Sequence, residues 1–371
     1  MSCAKNWPRY PKVKSSMFDF IYIEEEVAES TRAKEIISLY PNATVVTCDR
    51  YTEIFNRHGQ NFRLQKRNPA LLIGAKHGRR ILETPDSFGI GSNMNFYFSH
   101  MLNCLYDCRY CFLQGMYQSG HMVLFLNYDD FKQDIEKILT TTPVIKSKEI
   151  PHFFTGYDCD SLAMEHVTNF VENFLPFFAA HPRALFELRT KSVRIASLIN
   201  RSAVKNVVVA YSLTPEQLAT HYERGVPSPA SRIAATAQLQ DNGWTVGLRF
   251  DPLIYHSGYQ DNYRQLFNEV FSSVCGARVH SVSLGTLRLP RAFHRRIETL
   301  YPEEALFAQS LEETTKNVGY PNALRNEMMS FCSQELEQHV PKEAIFTCDS
   351  EFGNNKQKCD KELPSKGVHH R

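Results

Sequence analysis

The chain has 371 residues, of which 43% are hydrophobic, and a formal net charge of +2. It is therefore long and apolar enough to bury a large core, and its charge neither requires nor excludes nucleic-acid binding. No run approaches the ~18 apolar residues of a membrane span, and the basic N-terminus lacks the apolar core of a secretory signal, so we expect a soluble, cytoplasmic protein with no membrane partner.

The first 90 residues predict a small α/β domain, 1–90. A loop rich in Pro, Gly, Ser and Asn at 84–93 marks its end. Within this domain we expect a strand over 18–28, a helix over 31–41, a strand over 42–48 and an extended segment over 63–76.

From residue 91 onward, six strands alternate with six helices. The expected strands are 95–101, 151–156, 184–190, 206–213, 244–254 and 278–289. The expected helices are 129–141, 161–180, 192–200, 228–243, 262–274 and 290–301. This alternation is typical of parallel βαβ units and predicts an α/β fold, a partial (β/α)6 TIM-type barrel. We assign the barrel core to 91–305 and a C-terminal helical extension with a polar tail to 306–371.

Three of the ten cysteines fall together, directly after the first of these strands. Cys104, Cys108 and Cys111 have the spacing C-x3-C-x2-C. Cysteine thiolates are the natural ligands of iron–sulfur clusters, and three of them leave one iron open, as a catalytic site needs. A zinc site would need a fourth short-range ligand, for which His100 is a weak candidate. The spacing therefore favours a 4Fe–4S cluster over zinc.

The triplet, with Tyr110 between its last two cysteines, resembles that of the radical S-adenosylmethionine (SAM) superfamily. There the open iron is chelated by SAM, and one electron from the cluster cleaves SAM to a 5′-deoxyadenosyl radical. The resemblance implies a 4Fe–4S cluster on Cys104, Cys108 and Cys111, SAM as second cofactor and Tyr110 near the adenine. It also implies a radical SAM type of barrel and an electron donor such as flavodoxin or ferredoxin.

Further segments are similar to the spore photoproduct lyase family. They lie at 103–115, 187–192, 210–216, 222–235, 243–267 and 283–290. The resemblance implies an enzyme, a lyase that repairs DNA containing a thymine photoproduct, in which a methylene bridge joins two thymines. In that family the radical removes a hydrogen from the lesion and the bridge fragments. A protein cysteine then returns a hydrogen to the thymine-methyl radical. A tyrosine pair relays a hydrogen back to the cofactor and so remakes SAM.

The same resemblance assigns cofactor contacts beyond the triplet. Lys191 matches a lysine that binds the SAM carboxylate, and Ser212 matches a serine that hydrogen-bonds SAM. Without the resemblance, these residues suit a surface loop and a strand end. Gly156 would let a ligand approach the backbone closely. Asp158 and Asp160 can bind the ligand's amino or ribose groups, or cap the helix that follows.

Two positions depart from the family pattern. Tyr157 stands where the hydrogen-donating cysteine is expected, and Phe112, which has no phenolic hydrogen, stands at the second relay tyrosine. Cys159 follows Tyr157 by two residues, and alternation along an extended chain would keep both on one side. We therefore predict Tyr110, Tyr157 and Cys159 as catalytic residues, with Cys159 substituting for the missing donor.

Three functions are open on the sequence. The first is a spore photoproduct lyase-type DNA repair enzyme. The second is a radical SAM enzyme of the same family that acts on another photoproduct, a modified nucleoside or a peptide. The third is a non-catalytic iron–sulfur or zinc protein that binds nucleic acid. For a DNA substrate, phosphate contacts are expected from residues on or after the late strands. The candidates are Arg249, His256, Tyr259, Arg288, Arg291, Arg295 and Arg296. For Arg295 and Arg296, a solvated helix face is the better interpretation of the sequence.

Overall fold

The structure, a computed structural model, describes residues 17–348 apart from 86–87, 142–143 and 146. Its main feature is an eight-stranded sheet that contains all six predicted barrel strands as neighbours, in chain order and parallel. They are Asn95–Phe98, His152–Thr155, Leu185–Thr190, Val207–Ser212, Thr245–Leu253 and Val279–Thr286. Ile81–Glu83 adds an antiparallel strand at one edge and Ile345–Thr347 a parallel strand at the other. The two edges do not pair with each other, so the predicted partial barrel is confirmed.

Side-chain alternation along the strands separates an apolar outer face from a polar lumen. Phe153 and Phe186 are fully buried beneath the surrounding helices in the main hydrophobic cluster. Their neighbours Phe154 and Glu187 are paired across the sheet and face the other side. Apolar side chains therefore fix the sheet against the helices, and the lumen is left for charged and aromatic groups.

Helices connect the strands on the outer face. They are Tyr128–Leu139, Glu165–Thr168, Phe170–Ala179, Ala196–Ile199, Glu216–Tyr222, Pro229–Asp241, Tyr259–Phe271 and, after the sixth strand, Arg291–Leu300. The single helix expected over 161–180 is wrong, because Asn169 takes a left-handed conformation (φ 47°) and separates two helices. The helix expected over 192–200 shrinks to four residues.

The N-terminal part forms a second, five-stranded sheet. In spatial order its strands are Thr44–Cys48, Phe20–Glu24, Leu71–Gly74, Met122–Phe125 and Met101–Leu102. Two expectations are corrected here. The strand expected over 18–28 ends at Glu24 and is followed by the helix Glu25–Ala28, whereas the helix Thr31–Ser38 is confirmed. The segment 63–76 is extended only in its second half, because Asn61 accepts a hydrogen bond from the Leu64 amide and caps the helix Phe62–Arg67.

Two strands of this second sheet flank the cysteine triplet in the chain. Met101–Leu102 precedes Cys104, and Met122–Phe125 follows Cys111 by eleven residues. The loop that carries the cysteines therefore leaves the first barrel strand, Asn95–Phe98, by way of the N-terminal sheet. Because Met101–Leu102 and Met122–Phe125 pair with each other, the two ends of the loop are held side by side.

The C-terminal part contains a small antiparallel sheet and a long helix. The strands are Arg288–Pro290, Asn317–Gly319 and Glu312–Glu313, and the helix is Asn322–Leu336. The polar tail predicted after about residue 350 lies outside the described residues. Among the helices that the structure describes, none is both long and apolar enough to span a membrane.

A buried carboxylate between the two helices that Asn169 separates gives a testable pH dependence. Glu165 accepts hydrogen bonds from the Phe170 and Val171 amides, and burial raises its pKa from 4.5 to about 7. The folded state therefore binds the carboxyl proton of Glu165 more tightly than the unfolded state does. The free energy of unfolding gained in this way is lost as the pH rises from 4.5 to about 7. A shift of this size corresponds to about 3 kcal/mol.

We expect Glu165→Gln to remove this contribution, because the amide does not ionise. Thermal unfolding at pH 5 and pH 8 should show a larger loss of stability for the wild type than for the variant. Equal losses in the two proteins would mean that Glu165 does not titrate in this range.

Candidate active site

The cysteine loop begins at Asn103, which adopts a left-handed conformation (φ 66°). Its side-chain amide donates hydrogen bonds of 2.9 Å to the carbonyls of Ser119 and His121, and its Oδ1 accepts one from the Cys104 amide. Short polar side chains of this kind tolerate the left-handed region because they bond locally. Asn103 therefore fixes the direction in which the chain enters the loop.

The far side of the loop is anchored to Tyr301, which ends the helix Arg291–Leu300. Arg109 and Gln114 both donate to the Asp107 carboxylate, at 2.7 and 2.9 Å. Tyr301 donates to Gln114 Oε1 at 2.9 Å, and the Arg109 guanidinium lies 4.0 Å from the centre of the Tyr301 ring. These contacts fix the turn that carries Cys108 and Cys111.

The three thiols are weakly exposed and lie near ammonium groups. Cys108 is buried, and Cys104 and Cys111 are half-buried. Burial raises the pKa of Cys104 to about 12. Lys66 Nζ donates to the Cys104 carbonyl, and Lys191 Nζ lies 3.9 Å from Cys108 Sγ. Both cations oppose the effect of burial and favour the thiolate form that binds metal.

The thiols do not form a single-ion site. Among residues 17–348, outside the omitted positions, no three His, Cys, Asp or Glu side chains converge closely enough to bind one metal ion. His100, the candidate fourth zinc ligand, stacks on Phe170 with a centroid distance of 3.9 Å, and its Nδ1 lies 3.9 Å from Cys159 Sγ. Three cysteines on one anchored loop with nearby cations instead fit a multi-iron cluster, whose irons are ligated one thiolate each.

Two of the predicted cofactor contacts meet beside Cys108. The Tyr110 hydroxyl donates to Glu223 Oε1, and Lys191 Nζ lies 3.6 Å from the same oxygen. Lys191 Nζ is also 5.1 Å from the centre of the Tyr110 ring. Arg232 donates to Glu223 Oε2 at 2.5 Å and to the carbonyl of Ser212 at 2.7 Å. Tyr110, Lys191 and Ser212 therefore belong to one network, although they come from distant parts of the sequence.

The segment after the second barrel strand contains the other predicted contacts. Gly156 has φ 87°, and a Cβ there would lie 2.5 Å from the carbonyl of Arg189, so a neighbouring strand requires the glycine. Asp158 accepts a hydrogen bond of 2.8 Å from Ser99, and burial raises its pKa. Asp160 accepts from the Lys191 amide at 2.7 Å and from the Leu162 amide at 3.0 Å. Asp160 thus caps its own turn and positions Lys191.

Tyr157 and Cys159 lie in different surroundings. The strand ends at Thr155, so the alternation that we expected to keep them on one side does not continue. Tyr157 lies in the lumen, 5.0 Å from the Tyr97 ring, and its hydroxyl has no hydrogen-bond partner in the described part of the chain. Cys159 is buried in the hydrophobic cluster of the N-terminal sheet. The structure therefore places Tyr157, and not Cys159, against the lumen.

Two of the arginines expected to contact phosphates form ion pairs with carboxylates of the protein. Arg249 is 1% exposed and forms a two-point ion pair with Glu187, at 2.6 and 3.2 Å. Burial alone would raise the pKa of Glu187, but Arg249 and Arg189 lower it to about 2. Arg288 pairs with Asp251 at 2.9 and 3.2 Å. The phosphate role expected for Arg249 is therefore wrong, whereas that of Arg288, whose side chain is 20% exposed, stays a prediction.

The other groove candidates differ in exposure and in their partners. Arg291 forms an ion pair with Glu313, and the exposed Arg295 lies 3.8 Å from the same carboxylate. Tyr259 donates to Glu327 at 2.8 Å. His256 donates from Nδ1 to the carbonyl of Ile254 and accepts at Nε2 from the Asn262 side-chain amide, and Arg296 is half-buried. Arg291, Arg295, Tyr259 and His256 therefore already have partners within the protein.

Three functional candidates were missed at the sequence level. Glu223 and Arg232 fall inside a segment similar to the family, but nothing in the local pattern distinguishes them from solvated helix residues. Cys348 continues the last described strand, and its amide donates to the carbonyl of Leu284 at 2.7 Å. Alternation from Phe346, which pairs with the lumen-facing Ser283, puts Cys348 on the lumen side.

Comparisons with known proteins agree with this geometry. The family model described as spore photoproduct lyase matches residues 17–345. Spore photoproduct lyase of Bacillus subtilis (strain 168) is 21% identical over 344 residues, which cover 91% of this chain and 96% of the relative. Spore photoproduct lyase of Geobacillus sp. (strain Y412MC61) is 22% identical over 206 residues, 55% of this chain and 59% of the relative.

Solved structures support the fold. A double mutant of spore photoproduct lyase with bound AdoMet (SAM) and dinucleoside spore photoproduct superposes with a TM-score of 0.77 at 18% identity. The alignment covers 91% of this chain and 99% of that one. A spore photoproduct lyase complexed with dinucleoside spore photoproduct gives 0.75 at 17% identity, with the same coverage. The family match spans almost the whole described chain, and the chain therefore belongs to the spore photoproduct lyase family.

Proposed function

We propose that this protein is a radical SAM lyase that reverses spore photoproduct in DNA. One observation carries the proposal: the triplet of free cysteines is joined by Tyr110, Lys191 and Glu223 into a single site at the carboxyl end of the barrel. The family match and the solved relatives with bound AdoMet and dinucleoside spore photoproduct support it.

Cys104, Cys108 and Cys111 would hold a 4Fe–4S cluster, which supplies, together with SAM, the carbon radical that starts the reaction. Lys191 would pair with the SAM carboxylate, because an ammonium group beside a cluster ligand attracts an anion. Tyr110 and Ser212 lie in the same network and would contact the rest of the ligand. Asp160 holds the backbone of Lys191 and so keeps its side chain directed at the site.

The lumen would receive the lesion. Tyr97 and Tyr157 provide aromatic faces, and the Arg189 guanidinium lies 5.4 Å from the centre of the Tyr157 ring. Thymine bases stack on such faces once they are turned out of the duplex. We therefore place the base to be repaired in the lumen beside Tyr157. DNA containing the lesion is the proposed partner, together with an electron donor such as flavodoxin or ferredoxin.

The surroundings of Tyr157 and Cys159 give an expected outcome for the hydrogen donor. Cys159→Ala should leave product formation nearly unchanged, because this thiol is buried in the hydrophobic cluster of the N-terminal sheet. Tyr157→Phe should lower it by at least about 100-fold, the lower range for one general acid–base or transfer group. For both variants, mass spectrometry after reaction in D2O measures the amount of repaired thymine and its deuterium content. Loss of repaired thymine in Cys159→Ala alone would return the donor role to Cys159.

The substrate assignment is tested by turnover of the dinucleoside photoproduct. The reduced, reconstituted protein should convert it to the thymine dinucleoside when SAM is supplied. A second candidate, another substrate of the same chemistry, is favoured by one observation: Phe112 and Tyr157 replace the tyrosine and cysteine of the family pattern. SAM cleavage without repair of this dinucleoside would select the second candidate.

A further inference from the structure

Glu223 occupies the centre of the network beside the cysteine loop, although no motif marked it. Its side chain is 1% exposed, so its charge is removed from water. Tyr110 donates to Oε1, which lies 3.6 Å from Lys191 Nζ, and Arg232 contacts Oε2 at 2.5 Å. A buried carboxylate destabilises the folded state unless such partners surround it. The fold therefore supplies a specific binding environment for the charge of Glu223.

We propose that Glu223 is a positioning residue that sets the geometry and the charge of the SAM pocket. This inference rests on the proposed function. It assigns to Glu223 no contact with substrate or cofactor: the residue acts through Tyr110 and Lys191, and through Arg232.

The backbone of Glu223 ties the same network to the cluster. Glu223 pairs with Cys108 in a short antiparallel ladder, and Arg224 pairs with Asp107 beside it. The amide of Arg109 donates to the carbonyl of Tyr222 at 2.9 Å. One residue therefore fixes both a cluster ligand, through the main chain, and the pocket residues, through its side chain.

The charges around Glu223 leave one cation for a ligand. Arg232 is 0% exposed and is already bonded to Glu223 and to the carbonyl of Ser212. Lys191 lies 3.6 Å from Glu223, which is longer than a hydrogen bond. Glu223 thus neutralises Arg232, and the Lys191 ammonium keeps donors for an added carboxylate. Without Glu223, the two cations would repel each other across the pocket.

The hydrogen bond from Tyr110 fixes the orientation of its ring. The hydroxyl is buried and donates to Glu223, which lies 113 positions later in the sequence. The ring face then lies 5.1 Å from Lys191 Nζ, within the range of a cation–π contact. Loss of the acceptor would free the ring and the ammonium group together, so their effects on ligand binding are coupled.

The test is equilibrium binding of SAM to the reconstituted protein, with iron content and thermal unfolding recorded for each sample. Glu223→Gln should weaken SAM binding by about 10- to 100-fold, the range for loss of a charged hydrogen bond or a supporting residue. Glu172→Gln, in an exposed pair with Arg201, is the matched control and should bind as the wild type does.

A double-mutant cycle separates positioning from a general loss of structure. Tyr110→Phe removes only the hydroxyl, so it provides a second route if Glu223→Gln fails to fold. Both changes break the same contact. The fold loss of SAM affinity in the double variant should therefore be smaller than the two single losses multiplied together. In each variant, the electron paramagnetic resonance spectrum of the reduced cluster should become the same as that of the SAM-bound wild type. This change should require a higher SAM concentration than in the wild type.

Two results would overturn the inference. One is wild-type affinity for SAM in both Glu223→Gln and Tyr110→Phe. The other is a loss of affinity that follows a loss of iron or folded protein, with independent effects in the cycle. A wild-type protein that binds no SAM would instead refute the proposed function, and the wild-type sample alone reveals that case.

Discussion

Replacing Cys108 with Ala is expected to abolish cluster assembly. Cys108 is the buried member of the triplet, it pairs with Glu223 in the short ladder, and its thiol lies 3.9 Å from Lys191 Nζ. With one thiolate missing, a second iron would have no protein ligand. After anaerobic reconstitution, we expect iron and sulfide content and the visible absorbance of the cluster to fall to near background. SAM cleavage should fall by more than about 100-fold, since losing even a supporting residue costs 10–100-fold.

Cys275→Ala is the matched control for this variant. Cys275 is an exposed free cysteine outside the triplet, so its loss should change neither iron content nor SAM cleavage. Cys104→Ala and Cys111→Ala should behave as Cys108→Ala does. A Cys108→Ala protein that retains four irons per chain would show that another residue ligates the cluster, and the assignment of the triplet would be wrong.

Removing Arg249 is expected to destabilise the barrel strongly. Its guanidinium makes two contacts with Glu187, and both side chains are fully buried. Arg249→Met would leave Glu187 with only the 3.1 Å contact from Arg189. Breaking one side of a buried pair typically costs about 3–5 kcal/mol, because the remaining charge is uncompensated. The unfolding midpoint of the variant should therefore fall by roughly 5 °C.

An exposed ion pair supplies the control. Arg201 contacts Glu172 at 2.7 Å, but both side chains are partly in water, and Arg201→Ala should cost only about 0–1 kcal/mol. The double variant Glu187→Gln with Arg249→Met should be more stable than the sum of the single losses implies. If Arg249→Met left stability unchanged and weakened only DNA binding, Arg249 would be the phosphate contact that the sequence had indicated.

The barrel was predictable because its strands carry strong local signals. In Val207–Ser212, four of the six residues are β-branched or aromatic, and the strand is apolar up to Tyr211, as buried parallel strands are. The helix Pro229–Asp241 is marked by Ser228, whose side chain caps it, and by Gly243 after its end. In these elements, local propensity and tertiary burial favour the same structure.

Prediction failed where one residue or a distant contact decides the structure. The apolar stripe of 161–180 continues through Asn169, so only its left-handed backbone separates the two helices. The contribution of Met122–Phe125 to the N-terminal sheet depends on pairing with Leu71–Gly74, fifty residues earlier, which no local pattern records.

The site residues also divide into those that the sequence indicated and those that depend on distant contacts. The triplet was evident from its spacing, and Lys191 and Tyr110 followed from the family resemblance. Glu223 was missed because its importance depends on three partners, Tyr110, Lys191 and Arg232, that lie apart in the sequence. The expected shared side of Cys159 and Tyr157 failed because the strand ends at Thr155, before either residue. Arg249 was assigned to phosphate because the sequence does not show that it lies opposite Glu187.

The most direct test of the central claim is reductive cleavage of SAM. The reconstituted protein is reduced, mixed with SAM, and analysed for 5′-deoxyadenosine by liquid chromatography and mass spectrometry, with Cys108→Ala alongside. We expect 5′-deoxyadenosine to form with the wild-type protein and not with the variant. A fully loaded wild-type protein that forms none would contradict the assignment of the triplet to radical initiation, and with it the proposed lyase.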